Sequence, residues 1–542
     1  MENGKIPGIA PLDDHNRVLV DNVRPPEWQN PQPSGRYNLV IIGAGTAGLV
    51  AAAGGALLGG RVALVERSLL GGDCLNWGCV PSKAMIRCAR AAHDARNAAE
   101  FGVRIRGDVE VDFPAVMERM RGLRSQISFH DSAKRFRDMG VDVFLGEARF
   151  TGEDSIRVGE SLLRFGRALI ATGARAVRPD IEGLADAGYL TNETVFSLTR
   201  LPARLAVIGG GPLGCELAQA FSRLGSEVTI FQRGDHLLGR EDEEETRILQ
   251  EKFPREGIRL LLNTSPLKVT RTGGGKLVTY DRNGRTESIQ VDEILIGAGR
   301  APNVEGLDLE RAGIEYDPQK GVRVDDYLRT KNPRVFAAGD ICLPFKFTHM
   351  ADATARIALR NALFGGRAKL SALTIPWVTY TDPEIAHVGM SASEAAQKGI
   401  AVDTFLKPLA EVDRAVLDGE TEGFVKIHVK RGTDRIVGAT IVARHAGEMI
   451  SEVSLAIARG VGLRALSGVI HPYPTQAEAI KGAGDIYNRG LLVPLVKRTL
   501  ALWLRARRSE VLCAAGKYLD RAKKSLSSAL NGLKKGGGKT GG

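Results

Sequence analysis

The chain has 542 residues, 43% of them hydrophobic and 25% charged, which predicts a folded protein of three or so domains and excludes an intrinsically disordered one. Its net charge of +11 resides in residues 486–542, which hold thirteen Lys or Arg against two Asp or Glu. The rest of the chain is neutral, so we expect that the protein does not bind nucleic acid. Six cysteines and the lack of a long apolar run predict a cytoplasmic protein that is neither exported nor membrane-spanning.

The first 36 residues are rich in proline and polar side chains, and Pro25, Pro26, Pro31 and Pro33 lie close together. Proline removes a backbone donor and disfavours the helical conformation in the residue before it, which is pushed toward an extended one. The composition therefore predicts an extended arm on a domain surface. The sequence assigns no chemistry to this arm.

A glycine-rich nucleotide-binding fingerprint follows the arm. The apolar run 37–42 predicts a buried parallel strand, and Gly43, Gly45 and Gly48 come directly after it at the start of an Ala-rich helix. Such glycines allow a tight turn and let a pyrophosphate approach the backbone. The next predicted strand ends in Glu66, whose carboxylate can accept hydrogen bonds from a ribose diol. We predict a dinucleotide site here.

Cys74 and Cys79 lie in the stretch 71–83, which ends in Val-Pro-Ser-Lys83. Two cysteines at this spacing can close onto one helical turn, form a disulfide and reopen it, with Lys83 one turn further along. Most cysteine pairs in intracellular chains are instead buried small residues or metal ligands. The flanking glycines and the nucleotide fingerprints on both sides favour a redox switch.

The stretch 71–83 resembles the active-site signature of the FAD-dependent pyridine nucleotide-disulfide oxidoreductases, which include glutathione reductase, dihydrolipoamide dehydrogenase and mercuric reductase. The resemblance runs from about residue 37 to about residue 485. It implies an α/β fold with two Rossmann-like nucleotide-binding domains, for FAD and NAD(P), and a C-terminal α+β dimerisation domain. It also implies a homodimer.

The resemblance implies these domain bounds: 37–184 for the first part of the FAD-binding domain with a helical excursion at 84–140, 185–303 for the NAD(P)H-binding domain, 304–373 for the second part of the FAD-binding or central domain, and 374–485 for the dimerisation domain. Composition alone sets apart the two ends, 1–36 as an N-terminal extension and 486–542 as a basic amphipathic tail.

A second fingerprint follows the predicted strand 205–208. It supplies three glycines: Gly209, Gly211 and Gly214. The next strand, 227–231, ends in Gln232-Arg233 instead of a carboxylate. Since a 2′-phosphate needs a cation and would repel an acid, Arg233 favours NADPH over NADH. An ordinary exposed loop arginine is the alternative interpretation.

The family resemblance assigns cofactor contacts residue by residue. For FAD these are Gly43, Gly45, Gly48, Glu66, Lys83, Thr172, Gly173, Gly339 and Asp340. For NADPH these are Gly209, Gly211, Gly214, Glu216, Arg233 and Gly299. Glu216 is expected near the nicotinamide and paired with Lys83, where a buried ion pair would balance charge beside the flavin.

The segment 471–478 bears on the substrate. Disulfide reductases of this family take an acid–base histidine from the neighbouring subunit, and aligning Pro474, Thr475 and Glu478 places Tyr473 at that position. Protonating a dithiol thiolate calls for a pKa near 7, whereas that of tyrosine lies near 10. Reduction of Hg(II) needs soft sulfur ligands more than a proton shuttle. Mercuric reductases resemble this sequence here, and a packed interface aromatic is the alternative for Tyr473.

These observations predict an NADPH-dependent flavoenzyme, most similar to mercuric reductases, with Hg(II) as its substrate at Cys74 and Cys79 and no structural metal. The expected catalytic residues are Cys74, Cys79, Lys83, Glu216, Tyr473 and Glu478. A dihydrolipoamide dehydrogenase or other disulfide reductase, using His471 or no base, is the first alternative. Residues 1–73 contain no cysteine and the tail only Cys513, so the cysteine relays that many mercuric reductases use to deliver mercury are missing.

The basic tail predicts an amphipathic helix. Its apolar residues recur at three- and four-residue steps: Val511, Ala515, Tyr518, Ala522, Leu526, Ala529 and Leu533. Arg505, Arg507 and Arg508 follow the Trp503-bearing apolar segment. Such a helix could make a peripheral contact with an anionic membrane, or dock on its own dimer. The membrane contact underlies a second alternative, a tail-anchored flavoprotein that passes electrons to a partner such as a quinone.

Overall fold

The structure is a computed structural model and describes residues 9–508, 516–517 and 519–528. Of the apolar residues predicted for the tail helix, Val511, Ala515, Tyr518, Ala529 and Leu533 lie outside this part, as does Cys513. No helix among the described residues is long and apolar enough to cross a membrane.

The composition predicts an extended N-terminal arm, but the arm contains helix α1 (Asp14–Val23), so this prediction is wrong for that part. The Asp13 side chain accepts a hydrogen bond from the amide of Asn16 and caps this helix. Leu19 and Val23 of α1 are fully buried in the core of the following domain. Burial of this apolar face explains why a short segment beside several prolines is helical.

The first domain contains a parallel sheet with the order β3-β2-β1-β6, continued by the antiparallel strands β5 and β4. Its elements are β1 (Arg36–Ile42), α2 (Thr46–Leu57), β2 (Val62–Glu66), α3 (Gly72–Asn76), α4 (Cys79–Arg96), α5 (Phe113–Ser128), α6 (Ala133–Asp138), β3 (Val141–Leu145), β4 (Ala148–Gly152), β5 (Ser155–Val158) and β6 (Ser161–Ile170). All residues of β2 are buried, as expected for a strand covered on both faces.

The second domain repeats the nucleotide-binding arrangement with the parallel sheet β10-β9-β8-β14 and a three-stranded antiparallel sheet. Its elements, with the strand β7 that leads into it, are β7 (Ala174–Ala176), α7 (Leu184–Ala187), α8 (Asn192–Val195), β8 (Arg204–Ile208), α9 (Pro212–Leu224), β9 (Glu227–Phe231), α10 (Glu243–Arg255), β10 (Arg259–Leu261), β11 (Pro266–Thr272), β12 (Gly275–Arg282), β13 (Arg285–Val291) and β14 (Glu293–Ile296).

The chain then returns to the first domain. The returning elements are β15 (Arg300–Pro302), β16 (Tyr316–Asp317), β17 (Gly321–Val322), β18 (Val335–Ala337) and α11 (Thr348–Phe364). β15 pairs with β7, and β18 joins the first sheet beside β6. This return places α11 against α2, next to the first glycine-rich turn.

A five-stranded antiparallel sheet of order β19-β20-β23-β22-β21 forms the C-terminal domain. The remaining elements are β19 (Pro376–Thr379), β20 (Glu384–Gly389), α12 (Ala392–Gln397), β21 (Val402–Pro408), α13 (Asp413–Leu417), β22 (Phe424–Lys430), β23 (Ile436–Ala443), α14 (Ala446–Arg459), α15 (Leu463–Leu466), α16 (Glu478–Gly490) and α17 (Pro494–Arg508). Ile470, just before the segment of Tyr473, is 93% exposed, so this domain presents apolar surface to solvent. The predicted fold class, two Rossmann-like domains and a C-terminal α+β domain, is confirmed.

Candidate redox site

The two signature cysteines lie on different helices. Cys74 belongs to α3 and Cys79 is the first residue of α4, with Trp77 and Gly78 between the helices. The expectation that both cysteines lie on one helical turn is therefore wrong, because the backbone of Gly78, at φ −133° and ψ −111°, breaks the helix. Both thiols are free in the structure, which thus has the dithiol form.

The cysteine segment packs directly on the first nucleotide fingerprint. Gly72 has a left-handed φ of 55°, and a Cβ at this position would come within 2.7 Å of the Gly45 Cα. Only glycine permits both the conformation and the close approach. The pair of glycines before Cys74 thus sets the distance between the thiols and the predicted FAD site.

The two thiols differ in acidity because they share a hydrogen bond. The Cys74 thiol donates to the Cys79 sulfur, which lowers the pKa of Cys79 to about 6, against the opposing effect of burial. The same hydrogen bond and burial raise the pKa of Cys74. Near neutral pH, Cys79 is therefore a thiolate and Cys74 a protonated thiol.

Thr348 completes the environment of Cys79, although the sequence did not single it out. Its Oγ1 lies 3.2 Å from the Cys79 Sγ, and its hydroxyl, donating to the thiolate, also lowers the pKa of Cys79. Its neighbour His349 donates from Nε2 to the carbonyl of Pro376 at 2.7 Å.

Lys83 and Glu216 form the predicted ion pair, with 2.7 Å between Nζ and Oε2. Glu216 is 5% exposed, and its other oxygen accepts a hydrogen bond from the amide of Tyr380 at 2.8 Å. Burial alone would lower the pKa of Lys83, but Glu216 outweighs it and the pKa is raised. The Lys83 ammonium also lies 4.5 Å from the centre of the Tyr380 ring. Lys83 thus stays charged and further lowers the pKa of Cys79.

The residues at the first fingerprint fit FAD. Gly45 is the N-cap of α2 and supplies no side-chain acceptor, so amides of the first turn are available for a phosphate. Glu66 is buried and accepts hydrogen bonds from the amides of Ala44 and Ser68, at 2.6 and 2.7 Å. Since a carboxylate has about four acceptor positions, Glu66 can also accept from a ribose.

A partly buried arginine is a second sign that the site fits FAD. Arg300 binds the carboxylate of Asp73 and the carbonyl of Ala174, and its Nε lies 3.7 Å from Asp340. That Nε is buried and has no hydrogen-bond partner within the part of the chain that the structure describes. Buried donors are normally satisfied, so a polar group of a ligand beside Asp340 fits this position.

Thr172 and Gly173 lie where the first domain leads into the second. The Thr172 hydroxyl donates to the carbonyl of Asn303 at 2.9 Å, and the amide of Asn303 donates to the carbonyl of Gly173 at 3.0 Å. Gly339 donates its amide to Thr354 Oγ1, which ties the turn before Asp340 to α11. These hydrogen bonds fix the turns. The contacts of Thr172, Gly173 and Gly339 with FAD stay predictions.

The second fingerprint forms the start of α9. Gly211 is its N-cap and supplies no side-chain acceptor, so amides of the first helical turn are available for a phosphate. Gly209 lies against the backbone of Gly297, and Gly214 lies against the carbonyl of Gly209. Gly299, whose carbonyl accepts from the Val177 amide, lies on the connection out of the domain.

Gln232 and Arg233 differ in their contacts. Gln232 accepts from the amide of Gly210 at 3.0 Å and donates to the carbonyl of His236 at 2.9 Å, so it holds the turn. Arg233 is exposed and has no hydrogen-bond or ion-pair partner among the residues that the structure describes. Its guanidinium is therefore available for a ligand phosphate.

The segment of Tyr473 lies in the C-terminal domain and makes no hydrogen bond to the cysteines within the described part of this chain. Tyr473 is 69% exposed and donates to Asp413 at 2.9 Å, which raises its pKa. His471 is turned inward, with its Nε2 3.1 Å from Glu452. Glu478 begins α16. Any role of Tyr473 and Glu478 at the cysteines thus requires a second subunit.

Comparison with known proteins identifies relatives along most of the chain. Residues 37–359 match the family model described as pyridine nucleotide-disulphide oxidoreductase, and residues 375–483 match the dimerisation domain of that family. A mercuric reductase of Staphylococcus aureus is 36% identical over 455 residues, which are 84% of this chain and 83% of the relative. A dihydrolipoyl dehydrogenase of Chlamydia muridarum is 33% identical and covers 82% of this chain and 95% of its own.

Among solved structures, the Cu(II) complex of the HOCl-induced flavoprotein disulfide reductase RclA from Escherichia coli has a TM-score of 0.73 and 28% sequence identity. The match covers 82% of this chain and 98% of that chain. Together these similarities confirm the predicted oxidoreductase class, with FAD and NAD(P)H as its cofactors.

Replacing Cys74 tests the hydrogen bond between the thiols. We expect Cys74→Ala to raise the pKa of Cys79 from about 6 toward its ordinary value of 9.0, because the donor to the thiolate is lost. Cys74→Ser is the matched control, since its hydroxyl still donates and should keep the pKa low. The ultraviolet absorbance of the thiolate, followed against pH in both variants, gives the two values. Equal pKa values in the two variants would contradict the shared hydrogen bond.

Proposed function

The chain belongs to the pyridine nucleotide-disulphide oxidoreductase family, and on that premise we propose that it uses NADPH to reduce Hg(II) bound by thiolates, through the Cys74–Cys79 couple. The observation that carries the proposal is the pair itself, a protonated Cys74 hydrogen-bonded to a Cys79 thiolate beside the Lys83–Glu216 ion pair. Two sulfur atoms of this kind are the soft ligands that a mercuric ion prefers.

The proposed reaction balances in atoms and electrons. NADPH, one proton and a mercuric dithiolate give NADP⁺, elemental mercury and two thiols. NADPH supplies the two electrons that reduce the metal. Bound FAD supplies the two-electron chemistry that couples nicotinamide to the dithiol.

The residues of this chain have separate roles in the proposal. Cys74 exchanges with a thiolate of the incoming complex, and Cys79 is the second sulfur ligand of the metal. Lys83 holds a positive charge beside the Cys79 thiolate, and Glu216 fixes the position of Lys83. Arg300 binds Asp73 in the cysteine segment and lies beside Asp340, which is expected to contact FAD. Tyr473 and Glu478 of a second subunit line the substrate side.

Tyr473 favours the metal over a disulfide as the oxidant. Disulfide reduction releases a thiolate that must be protonated, and the best proton donor has a pKa near the working pH. The hydrogen bond to Asp413 raises the pKa of Tyr473 further above neutrality, so its hydroxyl is a poor acid–base group. The hydroxyl can donate to a sulfur ligand of the metal once it gives up its bond to Asp413.

A disulfide reductase is the second candidate. It is supported by the similarity to a dihydrolipoyl dehydrogenase and to a flavoprotein disulfide reductase. In that reaction NADPH, one proton and a disulfide give NADP⁺ and two thiols through the same cysteine couple. With His471 bound to Glu452, it would proceed without a histidine base from this segment.

The chain carries the family's dimerisation domain and forms a homodimer. The apolar surface around Ile470 suits that contact. Within the dimer, the segment of Tyr473 and Glu478 would reach the cysteines of the partner subunit. The substrate is a small molecule or metal complex.

Steady-state assays with NADPH distinguish the candidates. We expect the highest kcat/KM with Hg(II)–thiolate complexes, with release of elemental mercury, and lower values with lipoamide, glutathione disulfide and a soluble quinone. Cys74→Ala should abolish the activity, since one of the two sulfur ligands is lost. Cys88→Ala, which removes another cysteine of the same region, is the control and should retain it. Activity that survives Cys74→Ala would refute the dithiol reaction.

The coenzyme preference depends on Arg233 in the proposal. We expect Arg233→Ala to raise KM for NADPH by about tenfold to a hundredfold, as expected for loss of a hydrogen-bonded charge pair, and to leave KM for NADH unchanged. Arg271→Ala removes an exposed arginine of β11 in the same domain and should change neither value. Equal effects of Arg233→Ala on both coenzymes would show that the arginine does not bind the 2′-phosphate.

The basic tail is proposed to lie on anionic lipid. Every residue of α17 is exposed, the helix contains no acidic residue, and Arg505, Arg507 and Arg508 form its last turn. Its exposed large apolar residues are Leu495, Val496, Leu500, Leu502, Trp503 and Leu504. Exposed apolar and basic side chains on one helix are typical of interfacial helices.

A vesicle sedimentation assay tests the tail. We expect the full chain to sediment with phosphatidylglycerol vesicles and to be released by salt, because the attraction is partly electrostatic. Phosphatidylcholine vesicles and the protein truncated after Asp485 are the controls and should show little binding. If truncation leaves the binding unchanged, the tail does not contact lipid.

A further inference from the structure

Arg124 is a buried cation outside the assigned machinery. It lies in α5, its side chain is fully buried, and no carboxylate binds it directly among the described residues. Burial lowers the pKa of Arg124 to about 10, which leaves it charged near neutrality. A buried charge is costly unless it is hydrogen-bonded or paired. Two groups accept hydrogen bonds from Arg124, and they show what it holds together.

The first partner lies between the two redox cysteines. One Arg124 nitrogen donates to the backbone carbonyl of Asn76 at 2.7 Å. Asn76 is itself fully buried, and its amide donates to the carbonyls of Leu70 and Gly72, at 3.0 and 2.9 Å. Arg124 thus holds the residue whose side chain closes the loop around Cys74.

The second partner comes from the N-terminal segment. Another Arg124 nitrogen donates to the side-chain oxygen of Asn16 at 2.7 Å, and Asn16 is fully buried in α1. Arg121, one turn before Arg124, binds Asp13, which caps the same helix. The guanidinium of Arg124 is therefore a bridge from α1 to the cysteine loop.

The same segment also holds the beginning of that loop. The amide of Leu70 donates to the carbonyl of Val23 at 3.1 Å. Arg24 donates to the carbonyls of Arg67 and Ser68. The N-terminal segment thus holds the cysteine loop at two places. It contacts residues 67–70, before Cys74, directly, and it contacts Asn76, after Cys74, through Arg124.

Residues 9–34 are called the strap, because they are anchored along the first domain beyond α1 as well. Trp28 donates to the carbonyl of Val143 at 3.1 Å, and Asn30 exchanges hydrogen bonds with Leu145. The family match begins only at residue 37, so the strap is additional to the part that defines the family. These contacts fix the position of α1 relative to the loop that carries Cys74 and Cys79.

We propose that the strap is a positioning element of the redox centre, and that Asn16 and Arg124 are positioning residues that hold the Cys74–Cys79 loop in its dithiol geometry. The inference rests on the proposed function, since it requires that these cysteines form a redox couple. Among the described residues, neither one hydrogen-bonds to a sulfur atom. They act through the backbone of Asn76, which lies midway between the cysteines.

The consequence concerns the equilibrium between dithiol and disulfide. In exchange with glutathione, the dithiol and glutathione disulfide give the Cys74–Cys79 disulfide and two glutathione thiols, with two electrons and two protons transferred. Contacts that hold the loop as it is in the dithiol stabilise the reduced side. Their loss should favour the disulfide and make the midpoint potential more negative.

The test compares two asparagines of the same helix in the full-length holoenzyme. Asn16→Ala removes the acceptor of Arg124, whereas Asn22→Ala removes a hydrogen bond to Ser128 and leaves Arg124 untouched. We expect Asn16→Ala to shift the exchange constant about tenfold toward the disulfide, which corresponds to a midpoint potential about 30 mV more negative. Asn22→Ala should leave the constant unchanged. Asn16→Asp keeps an acceptor for Arg124 and should restore the wild-type constant.

The readouts separate the possible failures. A lower melting temperature alone would accompany any loss of packing, so the exchange constant of Cys74 and Cys79, measured by trapping the thiols, decides the question. Equal constants for Asn16→Ala and Asn22→Ala would overturn the strap proposal. If the wild-type protein shows no couple between these cysteines, the proposed function fails instead. Should Asn16→Ala not fold, Arg124→Lys, which can bind only one of the two acceptors well, gives the same comparison.

Discussion

The ion pair between Lys83 and Glu216 is the contact on which the arrangement of the site depends. It joins α4, which begins with Cys79, to α9, which begins at the second nucleotide fingerprint. Around it, Met85 of α4 and Leu217 of α9 belong to one buried apolar cluster. A buried charge that loses its partner is strongly destabilising, so the pair and the packing around it keep the thiolate and the predicted nicotinamide site together.

The cysteine loop is held from its other side by backbone contacts. Gly72 packs on Gly45 of the first fingerprint, and the carbonyl of Asn76 is held by Arg124. The loop therefore lies between two nucleotide-binding domains and the strap, and each of them limits its motion. Because the thiols are fixed, one hydrogen bond between them separates their acidities, so that Cys79 is a thiolate while Cys74 remains protonated.

The sequence predicts the parts of this structure that local patterns encode. Glycines after an apolar strand, as at Gly43, need no knowledge of distant residues, because their conformation and helix start are local. The sequence does not reveal Thr348, which lies 269 residues from Cys79 and meets it only after the chain returns to the first domain. Nor does it reveal the contact of Arg124 with Asn16. The helix α1 could have been recognised from the capping Asp13 and the apolar run after it, but the prolines that follow outweighed this signal.

The most direct test of the account is to identify which thiols appear when NADPH reduces the protein. The as-isolated holoenzyme is alkylated under anaerobic conditions before and after addition of NADPH, and the modified cysteines are mapped by mass spectrometry. We expect Cys74 and Cys79 to be protected before reduction and both to be alkylated after it. Reduction of the flavin by NADPH without any new thiol at these two positions would contradict it.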